Sequence, residues 1–281
     1  VADACPPGTG SATSTHRDGM LDAREPNPAR VFDAIHGGKD AYLIDRHIAD
    51  KLSANTTFRV AVTHARAFML RAIEHLVGDH GITQIVELGC GYPNAPQIHD
   101  VAANQNPSAR TLYLDHDPYV AAHALALMTG PNSAFATADL TTFASIAEHL
   151  TTILDISTPI AVCLSGTAEF LPDAPALVAS LLQHLPDRSW LVFTHTAADL
   201  HDSDIDTAVE TLAAAGIRYR PRDRDEVEQM LAPLLLLDPG LVTADLWRPD
   251  HNNGDECLAG FGVWPQPTVC SYAAVGKLHH R

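Results

Sequence analysis

Two short stretches carry residues whose spacing suggests ligand chemistry. The first is Glu87-Leu88-Gly89-Cys90-Gly91-Tyr92-Pro93, directly after the apolar run Gln84-Ile85-Val86 and just before a helical pattern. Glycines in such a turn let the backbone leave a strand sharply and approach a ligand closely. The second is Asp115-His116-Asp117-Pro118, which ends the next apolar run, Thr111-Leu112-Tyr113-Leu114. A carboxylate at the end of a second strand is placed to accept both hydroxyls of a ribose.

The pattern is not that of a dinucleotide site. Asp115 lies a little beyond the roughly 20-residue separation of that fingerprint. The third glycine is missing, and Pro93 stands near its place. A ligand with a ribose and no pyrophosphate fits better, and S-adenosylmethionine (SAM) is such a ligand. Asp139-Leu140 follows a third apolar run. Asp139 is expected to accept from the adenine amino group, with a local helix cap as its competing role.

Methyl transfer from SAM is an in-line displacement at a sulfonium. It needs a nucleophile held about 3–3.5 Å from the methyl carbon. A general base is required only where that nucleophile carries a proton. Glu169 is the candidate acceptor contact or base, against a solvated carboxylate or cap. His195, at the end of a fifth apolar run, is the alternative base, against a satisfied structural histidine.

The elements that must position these groups follow from periodicity. Strands are predicted at 84–88, 111–114, 134–138, 160–164, 190–194, 234–237 and 271–276. Helices are predicted between most of them, at 95–104, 118–128, 143–150, 174–184, 205–215 and 224–231. Such alternation means a mainly parallel sheet covered on both faces. Before the first strand lie a helical pattern around Val31, Phe32 and Ile35, a break at Gly37-Gly38, and a long helix over 57–77 with Phe58, Val62, Ala65, Phe68, Met69, Ala72, Ile73 and Leu76 at helical spacing. The last strand arrives without a preceding helix, after a polar stretch at 251–256, which predicts an antiparallel insertion. Seven strands ending that way point to a Rossmann-like class I methyltransferase sheet. The expected organisation is a loose leader over 1–28, a helical cover over 29–80, and a SAM-binding Rossmann-like domain over 81–281.

An ordered set of motifs resembles a known family. It comprises Pro28-Ala29-Arg30-Val31-Phe32-Asp33, Gly37-Gly38-Lys39-Asp40, Asp45-Arg46, the turn at Glu87–Pro93, Asp115-His116-Asp117-Pro118, Phe170-Leu171-Pro172-Asp173, Thr194-His195-Thr196-Ala197-Ala198-Asp199, Arg220-Pro221-Arg222, Pro239-Gly240-Leu241-Val242 and Trp247-Arg248-Pro249-Asp250. Across roughly 26–278 the chain resembles the S-adenosyl methyltransferase family long known as a domain of unknown function. The resemblance implies a class I fold that binds SAM. It implies a cofactor set of Arg30, Gly38, Lys39, Glu87, Gly89, Gly91, Asp115, His116, Asp139, Leu140 and Ser165, with Lys39 or Arg30 on the SAM carboxylate. His36 would line the pocket. Three features depart from the family pattern: Cys90 where a serine is usual, Glu169 where a histidine is usual, and a polar Ser165-Gly166-Thr167 after the fourth strand. A SAM-consuming cyclase or lyase releasing methylthioadenosine, and a non-catalytic SAM-binding protein, are the competing readings.

Composition narrows the partners. The 281 residues carry 34 Asp plus Glu against 18 Lys plus Arg, a formal charge of −16. Broad nucleic-acid or anionic-membrane faces need the opposite sign. The expected partner is a small molecule, neutral or cationic, and no nucleic acid or membrane; a homodimer is left open. The five cysteines have wide spacings and no C-x-x-C pair, so neither a disulfide framework nor a thiolate metal site is expected. No apolar leader is seen near Val1, and the expected location is cytoplasmic.

Overall fold

The computed structural model describes residues 25–249 and 268–279. Of the leader expected over 1–28, residues 1–24 lie outside the described residues, as does the polar stretch at 251–256. In chain order the elements are α1 (Pro28–Ile35), α2 (Leu43–Ala54), α3 (Thr56–Gly78), β1 (Gln84–Leu88), α4 (Ile98–Gln105), β2 (Arg110–Asp115), α5 (Pro118–Leu127), β3 (Ser133–Thr137), α6 (Phe143–Ile153), β4 (Ala161–Leu164), α7 (Ala174–His184), β5 (Trp190–Thr196), α8 (Asp202–Ala214), α9 (Arg224–Leu231), β6 (Leu235–Leu236), β7 (Val242–Thr243) and β8 (Ser271–Lys277). No helix among the described residues is long and apolar enough to cross a membrane.

The sheet runs β3-β2-β1-β4-β5-β8-β6, with β7 also paired to β8. β1 pairs in parallel with β2 and β4, while β8 is antiparallel to β5. Central strands buried on both faces are mostly apolar, and β1 is buried throughout with its polar residues, Gln84 and Glu87, near the two ends. Successive residues then serve opposite layers. Val86, Leu88, Leu112 and Phe193 pack with α6, α7 and α9. Ile85, Tyr113, Cys163 and Val192 pack instead beneath α3 and α4.

The described residues contain eight strands where seven are predicted. The predicted 234–237 strand contracts to β6, and β7 is added after the Asp238-Pro239-Gly240 turn. Both pair with β8, at Leu235–Lys277 and at Val242–Ala273. They are one edge interrupted by a turn, because proline has no N–H to give the ladder.

The first three helices have two different jobs. α3 lies on the sheet: Phe68, Met69, Ala72, Ile73 and Leu76 pack on the β1, β5 and β8 side chains, with Trp247 sealed among them. α1 and α2 sit farther out and pack with α8 through Val31, Ile48, Leu52, Ile205 and Leu212. They are joined by Arg30 Nε to Asp45 Oδ2 at 2.6 Å, with both residues fully buried. The Tyr42 and Tyr119 rings flank that guanidinium. Asn27 caps α1 by accepting from the Arg30 N–H and donates its own side-chain N–H to Asp117. Asp117 in turn caps α5. The cover is thereby tied to the turn that follows β2.

Candidate active site

The C-terminal ends of β1 to β5 meet α1 and α3 around one cleft of about 470 Å³. This is where open parallel sheets place ligands, and the size is that of a small-molecule site. The β1 turn is shaped by Gly89 and Gly91, at φ 73° and 62°. A Cβ on Gly89 would stand 2.5 Å from Thr167 Cγ2, so that position also needs the space. The turn's N–H groups are already used. Those of Gly89 and Cys90 donate to the Leu114 carbonyl at 2.7 and 3.2 Å. That of Gly91 donates to Asp115 Oδ2 at 3.0 Å. Asp115 Oδ1 accepts from the Asp117 N–H at 3.0 Å. Glycine here serves to hold the Asp115 carboxylate at the cleft rather than to present N–H donors to a phosphate.

The cleft wall includes Glu87, Gly89, Gly91, Asp115, His116, Asp139, Leu140, Ser165 and Glu169 from the predicted set, and also His36. Burial raises the Glu87 carboxyl to about 8, partly countered by Arg66. Asp139 is exposed, and its Oδ1 accepts from both the N–H and the hydroxyl of Thr141, which lowers its pKa. Asp139 thus makes a local turn with Thr141, whereas α6 starts after Thr142 with no side-chain cap bond. Ser165 Oγ pairs with Thr194 Oγ1 at 2.9 Å.

Arg30, Gly38, Lys39 and His195 are not among the wall residues. Arg30 is consumed by Asp45. Gly38 supplies room, since a Cβ there would overlap the Asp33 carboxylate. Lys39 is exposed and gives its carbonyl to Arg46. His195 is fully buried behind the wall, where desolvation lowers its pKa. Its Nε2 lies 3.2 Å from Arg222 Nη1. A guanidinium only donates, so Nε2 accepts and Nδ1 carries the hydrogen. Nδ1 points at Glu169 Oε2, 3.6 Å away. Glu169 Oε1 accepts from the Thr196 N–H at 2.7 Å. The Glu169 carboxylate is thus turned into the protein toward β5, although the residue borders the cleft. Trp247 is likewise a packed core residue, edge-on to Phe68 at 5.1 Å.

Comparison with known proteins decides the family. Residues 14–277 match a sequence family described as S-adenosyl methyltransferase. The chain belongs to this family. It is a SAM-dependent methyltransferase with a Rossmann-like class I fold. Among solved structures, a DUF574-family protein from Streptomyces avermitilis is 29% identical with a TM-score of 0.82, over 91% of this chain and 98% of that one. A structure from Thermobifida fusca YX is 30% identical with a TM-score of 0.80, over 91% and 96%. The plantazolicin methyltransferase, solved with SAH and a triazolic desmethyl analogue, is 15% identical with a TM-score of 0.54 over 90% and 96%, a likeness of fold. No curated protein matches the chain.

The cleft of this SAM-dependent methyltransferase suits its cofactor chemically. It offers a buried carboxylate at the β2 end, a second carboxylate after β3, and a cation, Arg66, from α3. Arg66 Nη2 donates to the Asn94 and Pro96 carbonyls. Sequence reasoning missed Arg66, along with Arg218 and Tyr219 in the wall, and noted Thr167 only as part of the polar loop after the fourth strand. The available signal for Arg66 was its place in the stripe Val62, Ala65, Arg66, Met69, which shares one helix face. An arginine inside an otherwise apolar stripe marks a face that meets something polar.

Proposed function

We propose that this SAM-dependent methyltransferase methylates a small molecule held in the cleft beneath α1. The observation that carries the reading is the continuity of one cleft. Its wall takes in Asp115 and Asp139 at the β2 and β3 ends and Phe32, Phe170 and Tyr219 near the β4 and β5 ends. Asp115 keeps a lone pair on each oxygen for the ribose hydroxyls. Asp139 and Leu140 border the adenine, with His116 beside them. Glu87, Ser165 and the Gly89–Gly91 turn surround the amino acid part, and Arg66 pairs with its carboxylate. Arg66 takes the role first expected of Arg30 or Lys39, which other contacts or exposure remove from the cleft. When bound, SAM supplies a methyl carbon on a sulfonium that leaves readily.

The chain then has to hold, orient and dehydrate. α1, clamped by the Arg30–Asp45 pair and by Asn27, closes over the reacting ends. Glu169 in the wall and His195 behind it act as positioning groups, since their partners are Thr196 and Arg222. They hold the loop after β4 against β5, which keeps Phe170 in place.

The test is thermal denaturation followed by analysis of the spent cofactor. SAM at about a hundred times its Kd is expected to stabilise by about 2.7 kcal/mol. For a chain of this size that is about 5–10 °C in Tm. Turnover with an acceptor panel should leave S-adenosylhomocysteine. Release of methylthioadenosine would replace methyl transfer by a cyclase or lyase reaction, and no SAM-induced shift would remove the reading altogether.

A further inference from the structure

We propose that His36 is the acceptor-facing base of this site, and that the cleft end it shares with Phe32, Phe170 and Tyr219 takes a small aromatic compound bearing a hydroxyl group. This rests on the methyl-transfer reading and adds to it the class of acceptor.

His36 follows α1 directly, four residues after Phe32. Residues spaced by four share a helix face, and both side chains line the cleft. The Phe32 ring meets Phe170 at 5.4 Å nearly edge-on, and Tyr219 at 6.1 Å. Flat rings in such a setting favour a flat partner. Several neighbouring polar groups are engaged inside the protein. The Tyr219 hydroxyl is engaged with Thr196 Oγ1 at 2.6 Å. Glu169 is turned to Thr196 and His195. Asp33 Oδ2 accepts from the Asp40 N–H. Among the described residues none hydrogen-bonds the ring nitrogens of His36, which borders open cleft.

Burial, with Arg66 nearby, lowers the His36 imidazole to about 4. It therefore stands neutral near pH 7, with a lone pair available. An ammonium acceptor beside His36 would face Arg66, whose charge already acts on that imidazole, with Arg218 in the same wall. A neutral hydroxyl avoids that repulsion and donates its hydrogen bond to the imidazole. In the transfer the hydroxyl oxygen forms the new bond to the methyl carbon. The carbon–sulfur bond breaks with its electron pair kept by sulfur. The hydroxyl proton passes to a ring nitrogen of His36.

The full chain, saturated with S-adenosylhomocysteine, is titrated with phenol and separately with toluene while the His36 ring nitrogens are followed by 15N NMR, assigned through H36Q. Phenol is expected to shift them saturably and several times more than toluene. In H36L phenol should bind about 3–10-fold more weakly, as for loss of one hydrogen bond, with toluene unchanged. Phenol that fills the cleft and leaves His36 unmoved would overturn the proposal, as would equal losses for both probes. The wild-type titration decides the matter even if H36L fails to fold. Failure of S-adenosylhomocysteine itself to bind would instead overturn the methyl-transfer reading on which this rests.

Discussion

Asp115 shows how one side chain links the turn to the cleft. Its two oxygens hold the Gly91 and Asp117 N–H groups, so it braces the β1 turn while facing the cleft. D115N keeps the size, removes the charge and sets an NH2 against one of those two N–H groups. We expect it to weaken SAM binding about tenfold in calorimetry, the scale of one charge-assisted hydrogen bond. Arg66 makes a sharper test, because its proposed partner is one end of the ligand. R66M should weaken S-adenosylhomocysteine by about tenfold or more while leaving methylthioadenosine, which lacks the carboxylate, within about twofold. Equal losses for both ligands would place Arg66 elsewhere. Asp115 was legible because a strand end and an acidic residue are both local signals. Arg66 was not, because only the packing of α3 shows which of its faces meets the cleft.

At the scale of elements, the helical cover depends on a buried ion pair. Arg30 and Asp45 are 1% and 0% exposed. Asp45 also accepts from the Asn27 and Tyr42 N–H groups, so it organises the starts of α1 and α2 together. Removing one partner of such a pair strands the other charge out of water. D45A should therefore cost about 3–5 kcal/mol in denaturant unfolding. A loss below about 1 kcal/mol would mean that the cover contributes little to folding stability. Most element positions were legible. The α7 and α9 ranges match their predicted spans, since each begins after an aspartate cap and carries a clear apolar stripe. α4 begins three residues later than predicted because proline at 96 resists helix entry ahead of it. Strand β7 was missed, since a two-residue edge has no periodicity to read.

For the whole molecule, burial makes stability depend on pH through Glu87. Its carboxyl titrates at about 8 in the folded chain, above the ordinary carboxylate range. The folded state therefore holds a proton that the unfolded chain releases near pH 4.5. This contribution is complete below the ordinary range and is lost as pH rises through about 8. His36 and His195 shift the opposite way. Their contribution is lost as pH falls below the ordinary histidine range, so it is absent from the slope above about pH 7. Stability should decline between about pH 7 and 8, by at most about 1.4 kcal/mol per pH unit for one proton. E87Q should flatten that decline in pH-dependent unfolding. An unchanged slope would assign it to another group.

The sequence by itself determined the order of the main strands and helices, the glycine turn and the Asp115 position. Each is written in residues close together in the chain: apolar period, a turn, a strand end. Tertiary structure alone decided which charged side chains line the cleft. Arg30 and Lys39 carry the expected charge, yet burial against Asp45 and exposure on the outer turn remove them from the cleft. His195 ends a strand as expected, yet the sheet's alternation turns it away behind Glu169. His36 and Arg66 enter because α1 and α3 cross the same opening. Local pattern sets the identity of a group, but its direction and its partner depend on residues far away in sequence, and those are settled only when the layers pack.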